Sequence, residues 1–222
     1  EQIEYLKGIT SYHCGMIIFC GPTGSGKTTS IYSLLETMDK KSRNIMTLED
    51  PVEYRISSVK QTEIVRGVIE FADGVRSILR QDPDVILIGE IRDEETAKMA
   101  IRASMTGHLV LTTIHANDCF GVIARLREFD ISNSLIADNI VAVIAQRLIR
   151  KHRTTGRTIV SEILKVSEKL NSLIYEGASM QKLKEHAVTV DGFKSMLEDC
   201  IAKIKLGLID EACAASIIRR DI

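Results

Sequence analysis

The sequence predicts an α/β domain built on a mostly parallel sheet, followed by a small helical appendage. Three observations carry that prediction. Short, β-rich apolar runs alternate with helical patterns from Met16 to Leu164, as strands do when covering helices join them. A glycine-rich loop stands between the first such strand and the first amphipathic helix. From Val166 onward only helical periodicity remains.

The elements follow in order. "MIIFC" (16–20) reads as a buried strand, "TTSIYSLLETM" (28–38) as an amphipathic helix and "NIMTL" (44–48) as a second strand. "MDKKSR" (38–43) between them reads as a solvated turn. "FADGVRSILRQ" (71–81) is helical and is stopped by Asp82–Pro83, because the residue before proline avoids the helical region. "DVILIG" (84–89) is a third strand, "EETAKMAIRASM" (94–105) a helix and "HLVLTTI" (108–114) a fourth strand. Residues 132–150 are very apolar with helical spacing and are expected to form a packed helix. "GRTIVSEIL" (156–164) reads as one more strand. Turns near Gly177, Asp191–Gly192 and Gly207 divide the helical tail, and "IIRRDI" at its end reads as a helix terminus with favourable cations. The expected division is a core over 1–163 and a helical subdomain over 164–222.

The totals exclude several classes. The 222 residues are 45% hydrophobic and 27% charged, with a formal net charge of -1. That mix suits an ordinary globular protein and supplies no general field for nucleic acid or anionic lipid. No apolar run approaches the roughly 20 residues of a membrane span. The five cysteines (Cys14, Cys20, Cys119, Cys200 and Cys213) are odd in number, scattered and without a Cys-x-x-Cys pair. Free thiols in a reducing compartment are expected, and no zinc. The first residue is Glu1, not Met, so an N-terminal portion is expected outside this sequence.

"GPTGSGKT" matches G-x-x-x-x-G-K-[ST] and has a strand before it and a helix after it. Gly21, Gly24 and Gly26 let the backbone curl around Pro22, Thr23 and Ser25, so that successive N–H groups converge on phosphate. The helix that follows adds its N-terminal partial charge. Lys27 is placed to bridge the β- and γ-phosphates, Thr28 to ligate Mg²⁺, and Thr29 extends the string. The motif predicts binding of ATP or GTP. Hydrolysis needs more: a metal organiser, a group that positions water, and a cation for the γ-phosphate.

Three segments at strand ends are candidates. "VILIGEIRDEE" carries an apolar strand into Glu90, which would hold a metal-bound water or orient the attacking one. Alone, it is equally a strand entering a polar loop. "GHLVLTTIH" has His108 and His115 at its two ends, and only His115 can lie near the C-terminal rim. A satisfied structural histidine is the plainer alternative for either. "TLEDPVEY" releases Glu49 and Asp50 from the second strand, turns at Pro51 and places Glu53 just beyond. Read alone, it is a charged, solvated loop.

Together these strings resemble the secretion-superfamily traffic ATPases, the motors of type II secretion, type IV pili and competence pseudopili. The resemblance runs from about Gly15 to Arg150 and then more weakly to the end. It rests on four motifs in order: "GPTGSGKTT", "TLEDPVEY", "RSILRQDPDVILIGEIRDEET" and "TGHLVLTTIHAND". It implies a RecA-like P-loop fold, ATP and Mg²⁺, a hexameric ring, and a cytoplasmic place at the inner face of the membrane. The implied partner is a polytopic inner-membrane platform protein, with no direct nucleic acid. It implies that Lys27 and Thr28 bind phosphate and Mg²⁺, that Glu90 serves the metal, and that Glu53 is the general base or water-positioner. Glu49 and Asp50 would support Glu53, and His108 and His115 match the histidines of the last motif. There are two departures. The family's N-terminal domain, which supplies arginines, has no counterpart before "MIIFC"; Arg76, Arg80 and Arg92 are open substitutes. A four-cysteine zinc insert found in many members is missing before "KHRTTGRT", as in Gram-positive competence motors. "EKLNSLIYE" matches the "AIRNLIRE" string of retraction motors only in part, which favours assembly over retraction.

Overall fold

In the computed structural model, which describes residues 2–65, 67 and 70–218, seven strands share one sheet. They are β1 (Gly15–Cys20), β2 (Ile45–Glu49), β3 (Lys60–Glu63), β4 (Val85–Ile91), β5 (Leu109–Ile114), β6 (Ile140–Arg150) and β7 (Arg157–Lys165). Their order across the sheet is β3-β2-β4-β5-β1-β6-β7. Every neighbouring pair is parallel except β6–β7. The mostly parallel α/β sheet read from the sequence is the observed one.

Alternation along the strands divides the core into two layers. On one face α1 (Gln2–Ile9) and α2 (Lys27–Thr37) pack over Ile17, Phe19, Leu87, Leu111 and Ile144. On the other, α3 (Phe71–Ile78), α4 (Glu94–Met105), α5 (Cys119–Glu128) and α6 (Asn133–Asn139) cover Met16, Ile18, Ile86, Ile88 and Val110. The tail forms α7 (Glu168–Tyr175), α8 (Met180–Thr189), α9 (Met196–Lys205) and α10 (Glu211–Ile218). Its Leu170, Leu183, Met196 and Cys200 join the second layer. The cations expected to close the last helix, in "IIRRDI", lie outside the described residues.

One expectation is corrected. Residues 132–150 are not a single packed helix: α6 ends at Asn139 and the chain runs on as the eleven-residue strand β6. The run "IVAVIAQRLI" is rich in β-branched residues and is buried between β1 and β7. A strand covered on both faces is apolar throughout, so its spacing does not distinguish it from a buried helix. The helix expected over 71–81 is α3 plus a separate 3-10 turn at Leu79–Gln81. Three elements were not anticipated: α1, α5 and β3. Strand β3, "KQTE", lies at the sheet edge with little burial, so it carries no apolar pattern to read.

A register shift decides where Glu90 points. Ile88 pairs with Thr112 and Ile91 with Ile114, so three steps along β4 run beside two along β5. The extra residue changes the phase of the strand. Ile88 and Ile91 therefore both enter the layer under α3–α6, and Glu90, next to Ile91, falls on the face that carries α2. Gly89 permits the shift, because a Cβ there would stand 3.1 Å from the Leu48 carbonyl and 3.3 Å from Glu49 Cα.

A buried carboxylate helps to fasten the tail to the sheet. Glu162 of β7 accepts the Cys119 N–H at the start of α5 (2.8 Å) and the Met196 N–H at the start of α9 (3.0 Å). Two helix N-termini thus share one acid. Burial raises the Glu162 pKa, and the two backbone donors oppose the shift. The folded chain therefore holds this proton more tightly than the unfolded chain, and that contribution to stability is lost as pH rises through the folded pKa. Glu162→Ala is expected to lower the unfolding free energy by about 2–5 kcal/mol, since two buried N–H groups lose their acceptor. Glu162→Gln is expected to remove the pH-dependent part. Urea midpoints of the parent and both variants, followed from acidic to neutral pH, check both expectations.

Candidate functional site

The P-loop joins β1 to α2 at the C-terminal edge of the sheet, where an open α/β sheet carries its ligand crevice. Gly21, Gly24 and Gly26 all have positive φ (139°, 75° and 87°). At Gly21 a side chain is also sterically impossible, because a Cβ would lie 2.3 Å from the Gln146 carbonyl oxygen. Gly26 caps α2 without a side-chain hydrogen bond, so the helix presents backbone amides to the cleft. Lys27 Nζ donates to the Gly21 and Pro22 carbonyls (2.9 and 3.2 Å). Burial lowers its pKa, and the nearby Glu90 works in the opposite direction. The Ser25 hydroxyl is buried with no partner among the described residues.

Gln146 of β6 braces this loop from the side, donating from Nε2 to the Ser25 carbonyl at 2.8 Å. The sequence does not single it out, because the segment's apolar spacing reads as a packed helix. The available signal was one amide interrupting an apolar run.

The cleft measures about 640 Å³ and brings together residues far apart in the chain. Thr23 to Thr29 form one wall, and Glu49, Asp50, Glu53, Glu90, Arg92 and His115 line the rest. Glu90 is held from two sides, with His115 Nε2 at 2.7 Å from Oε1 and Arg92 Nε at 2.7 Å from Oε2. Arg92 also reaches Asp50 at 3.4 Å. Thr113 fixes the bulge by donating to the Gly89 carbonyl at 2.8 Å. Thr28 and Glu90 offer hard oxygen donors on the same cleft, a set that suits Mg²⁺.

The three acids of "EDPVEY" have different environments. Glu49 is 3% exposed. Its Oε2 accepts the Tyr32 hydroxyl, and its Oε1 accepts Thr47 at 2.5 Å and Gln61 Nε2 at 3.3 Å. Burial first, and then the bond to Glu49, holds the Tyr32 phenol well above its usual pKa. The Asp50–Pro51 bond is cis. Glu53 is exposed at the cleft, and its carboxylate has no hydrogen-bond or ion-pair partner among the described residues.

Three candidates lie elsewhere. His108 sits at the N-terminal end of β5, where Nδ1 meets the Thr106 hydroxyl and the Ala103 carbonyl (3.0 and 2.9 Å), so the structure does not bring it to the cleft. Arg76 pairs with Asp73 and Glu95 on the surface, and Arg80 does not line the cleft. Arg157, at the start of β7, does line it and was missed. It stands in a turn-rich stretch where sequence offers no reason to single it out. A second, more apolar groove of about 430 Å³ shares Thr29 and runs between α1, α2 and the β6–β7 pair.

A family model described as "Type II/IV secretion system protein" matches residues 1–214. The type II secretion system protein HxcR of Pseudomonas aeruginosa is 40% identical over 209 residues, covering 83% of this chain and 44% of its own length. The type II secretion system ATPase E of Vibrio cholerae is 37% identical over 235 residues, covering 87% of this chain and 46% of its own. Among solved structures, the ATPase DotB of Legionella pneumophila superimposes with a TM-score of 0.87 at 28% identity, over 98% of this chain and 63% of that one. The pilus retraction motor PilT with bound ADP gives 0.83 at 33% identity, over 96% and 63%. The chain thus spans less than half the length of those two relatives. With the P-loop, the four motifs and the sheet order in place, the family match over 1–214 settles the membership: this chain belongs to the type II/IV secretion system protein family.

Proposed function

We propose that the chain is the Mg²⁺-dependent ATP-hydrolysing part of a secretion or pilus-type motor, with residues 1–163 as a RecA-like core and 164–222 as a helical subdomain. The observation that carries this reading is the convergence of the P-loop, Glu53 and Glu90 on one cleft.

The P-loop amides and Lys27 bind the β- and γ-phosphates, with Lys27 exchanging its two loop carbonyls for phosphate oxygens. The shared groove beside α2, apolar and bordered by Thr29, suits the base and ribose. Thr28 and Glu90 would hold Mg²⁺, Glu90 through water, and the bound ion would supply positive charge against the phosphates. His115 and Arg92 fix the Glu90 carboxylate. Glu53, with no partner of its own among the described residues, takes the proton of the attacking water as its oxygen bonds to the γ-phosphorus and the bond to ADP breaks. Arg157 stands in the cleft lining without a carboxylate partner among the described residues.

The wider assignment is a cytoplasmic homo-hexameric ring that drives a polytopic inner-membrane platform protein, assembling a pilus, a pseudopilus or a competence DNA-uptake machine. No helix among the described residues is long and apolar enough to cross a membrane. The likeness to PilT, a retraction motor, supports pilus retraction as a second reading.

Lys27→Ala is expected to weaken ATP binding by about tenfold or more, because it removes a charge-assisted contact. Glu53→Gln is expected to bind ATP like the parent and to lower kcat by about 100-fold or more. Calorimetric titration with ATP and a phosphate-release assay on both variants separate binding from chemistry. A ring that completes its sites between subunits should show specific activity rising with protein concentration, in step with oligomer mass measured by light scattering. A flat rate across the assembly transition would count against the ring.

A further inference from the structure

We infer that Tyr32 and Gln61 are positioning residues that set the distance of Glu53 from the P-loop. This rests on the reading of Glu53 as the group that activates water. It adds two residues outside the four motifs, one on the phosphate-binding helix and one on the edge strand.

Tyr32 is fully buried in the second turn of α2, the helix that Lys27 begins. Its hydroxyl donates to Glu49 Oε2 and accepts from Gln61 Nε2 at 3.3 Å. The strand end before the turn is therefore tied to the phosphate-binding helix. The Tyr32 ring meets the Tyr54 ring edge-on, with centroids 4.7 Å apart, so the residue after Glu53 is tied to the same side chain.

Gln61 fastens the loop from its other end. Its Nε2 also faces Glu49 Oε1 (3.3 Å) and donates to the Tyr54 carbonyl (3.1 Å). Its Oε1 accepts the Ile56 N–H at 2.7 Å, and its own carbonyl accepts Arg55 Nη1 at 2.9 Å. One side chain thus holds both flanks of the turn that presents Glu53. Glu49, buried and accepting from Tyr32, Thr47 and Gln61, is the anchor of the network and not a base. The result is a loop registered on α2 through Glu49, Gln61 and Tyr54, while the Glu53 carboxylate has no hydrogen-bond or ion-pair partner among the described residues.

A shift of about 1 Å in a reacting group is enough to cost on the order of 100-fold in rate. Tyr32→Phe and Gln61→Leu in the full chain are therefore expected to lower kcat by about 10- to 100-fold. KM for ATP and the affinity for ADP should stay near the parent values. Because the two residues act through Glu53, Gln61→Leu combined with Glu53→Gln should be no slower than Glu53→Gln alone. Phosphate release, ADP titration and thermal melting on the single and double variants test this. Parent-like kcat in both folded single variants, beside an inactive Glu53→Gln, overturns the inference and leaves the role of Glu53 standing. A double variant much slower than Glu53→Gln overturns it as well, by showing an effect independent of Glu53. Parent-like turnover in Glu53→Gln overturns the underlying reading instead. Should Gln61→Leu fail to fold, Tyr32→Phe, which keeps the ring contact, decides between the same results.

Discussion

The site depends on the phase of side chains across one sheet. The P-loop helix lies on one face, so a strand can serve the phosphates only with residues that alternate onto that face. Thr47 and Glu49 of β2, Thr113 of β5 and Gln146 of β6 reach it by ordinary alternation. Glu90 does not. In an unbroken strand it would share the face of Ile86 and Ile88, buried against α3–α6. The extra residue between Ile88 and Ile91 turns it over. Ionised Glu90 would be costly in the apolar layer; at the cleft it has His115 and Arg92 for partners.

The same geometry separates acids that look alike in sequence. Glu49 and Glu53 are four residues apart, yet one accepts three hydrogen bonds and the other has no partner among the described residues. A carboxylate already accepting several hydrogen bonds is held in one orientation and serves as an anchor. The difference between the two neighbours comes from burial of the strand end against exposure of the turn.

Much of the fold was legible in the residues. Strands β1, β2, β4, β5 and β7 each show as a short apolar run with a punctuating glycine, proline or charge, and helix α4 by its spacing. The illegible elements share a cause, which is that they depend on a neighbour. Strand β6 is apolar on both faces because both core layers cover it, Val143 and Ala145 in one and Ala142 and Ile144 in the other, and its periodicity is ambiguous for that reason. Strand β3 is polar because it needs only the edge of β2 for its backbone bonds. The mistaken helix over 132–150 then hid Gln146, whose role exists only once β6 lies beside the P-loop.

The sequence by itself determined the phosphate loop, the class of the sheet and the candidate acids at strand ends. These are local matters: glycine spacing sets where backbone can curl, and a strand's last residues must emerge at its rim. Tertiary structure alone decided which acids converge, and that Tyr32, Gln61, Gln146 and Arg157 stand around the cleft. Those outcomes turn on strand order, on the extra residue in β4 and on distances across the sheet, none of which a linear spacing encodes.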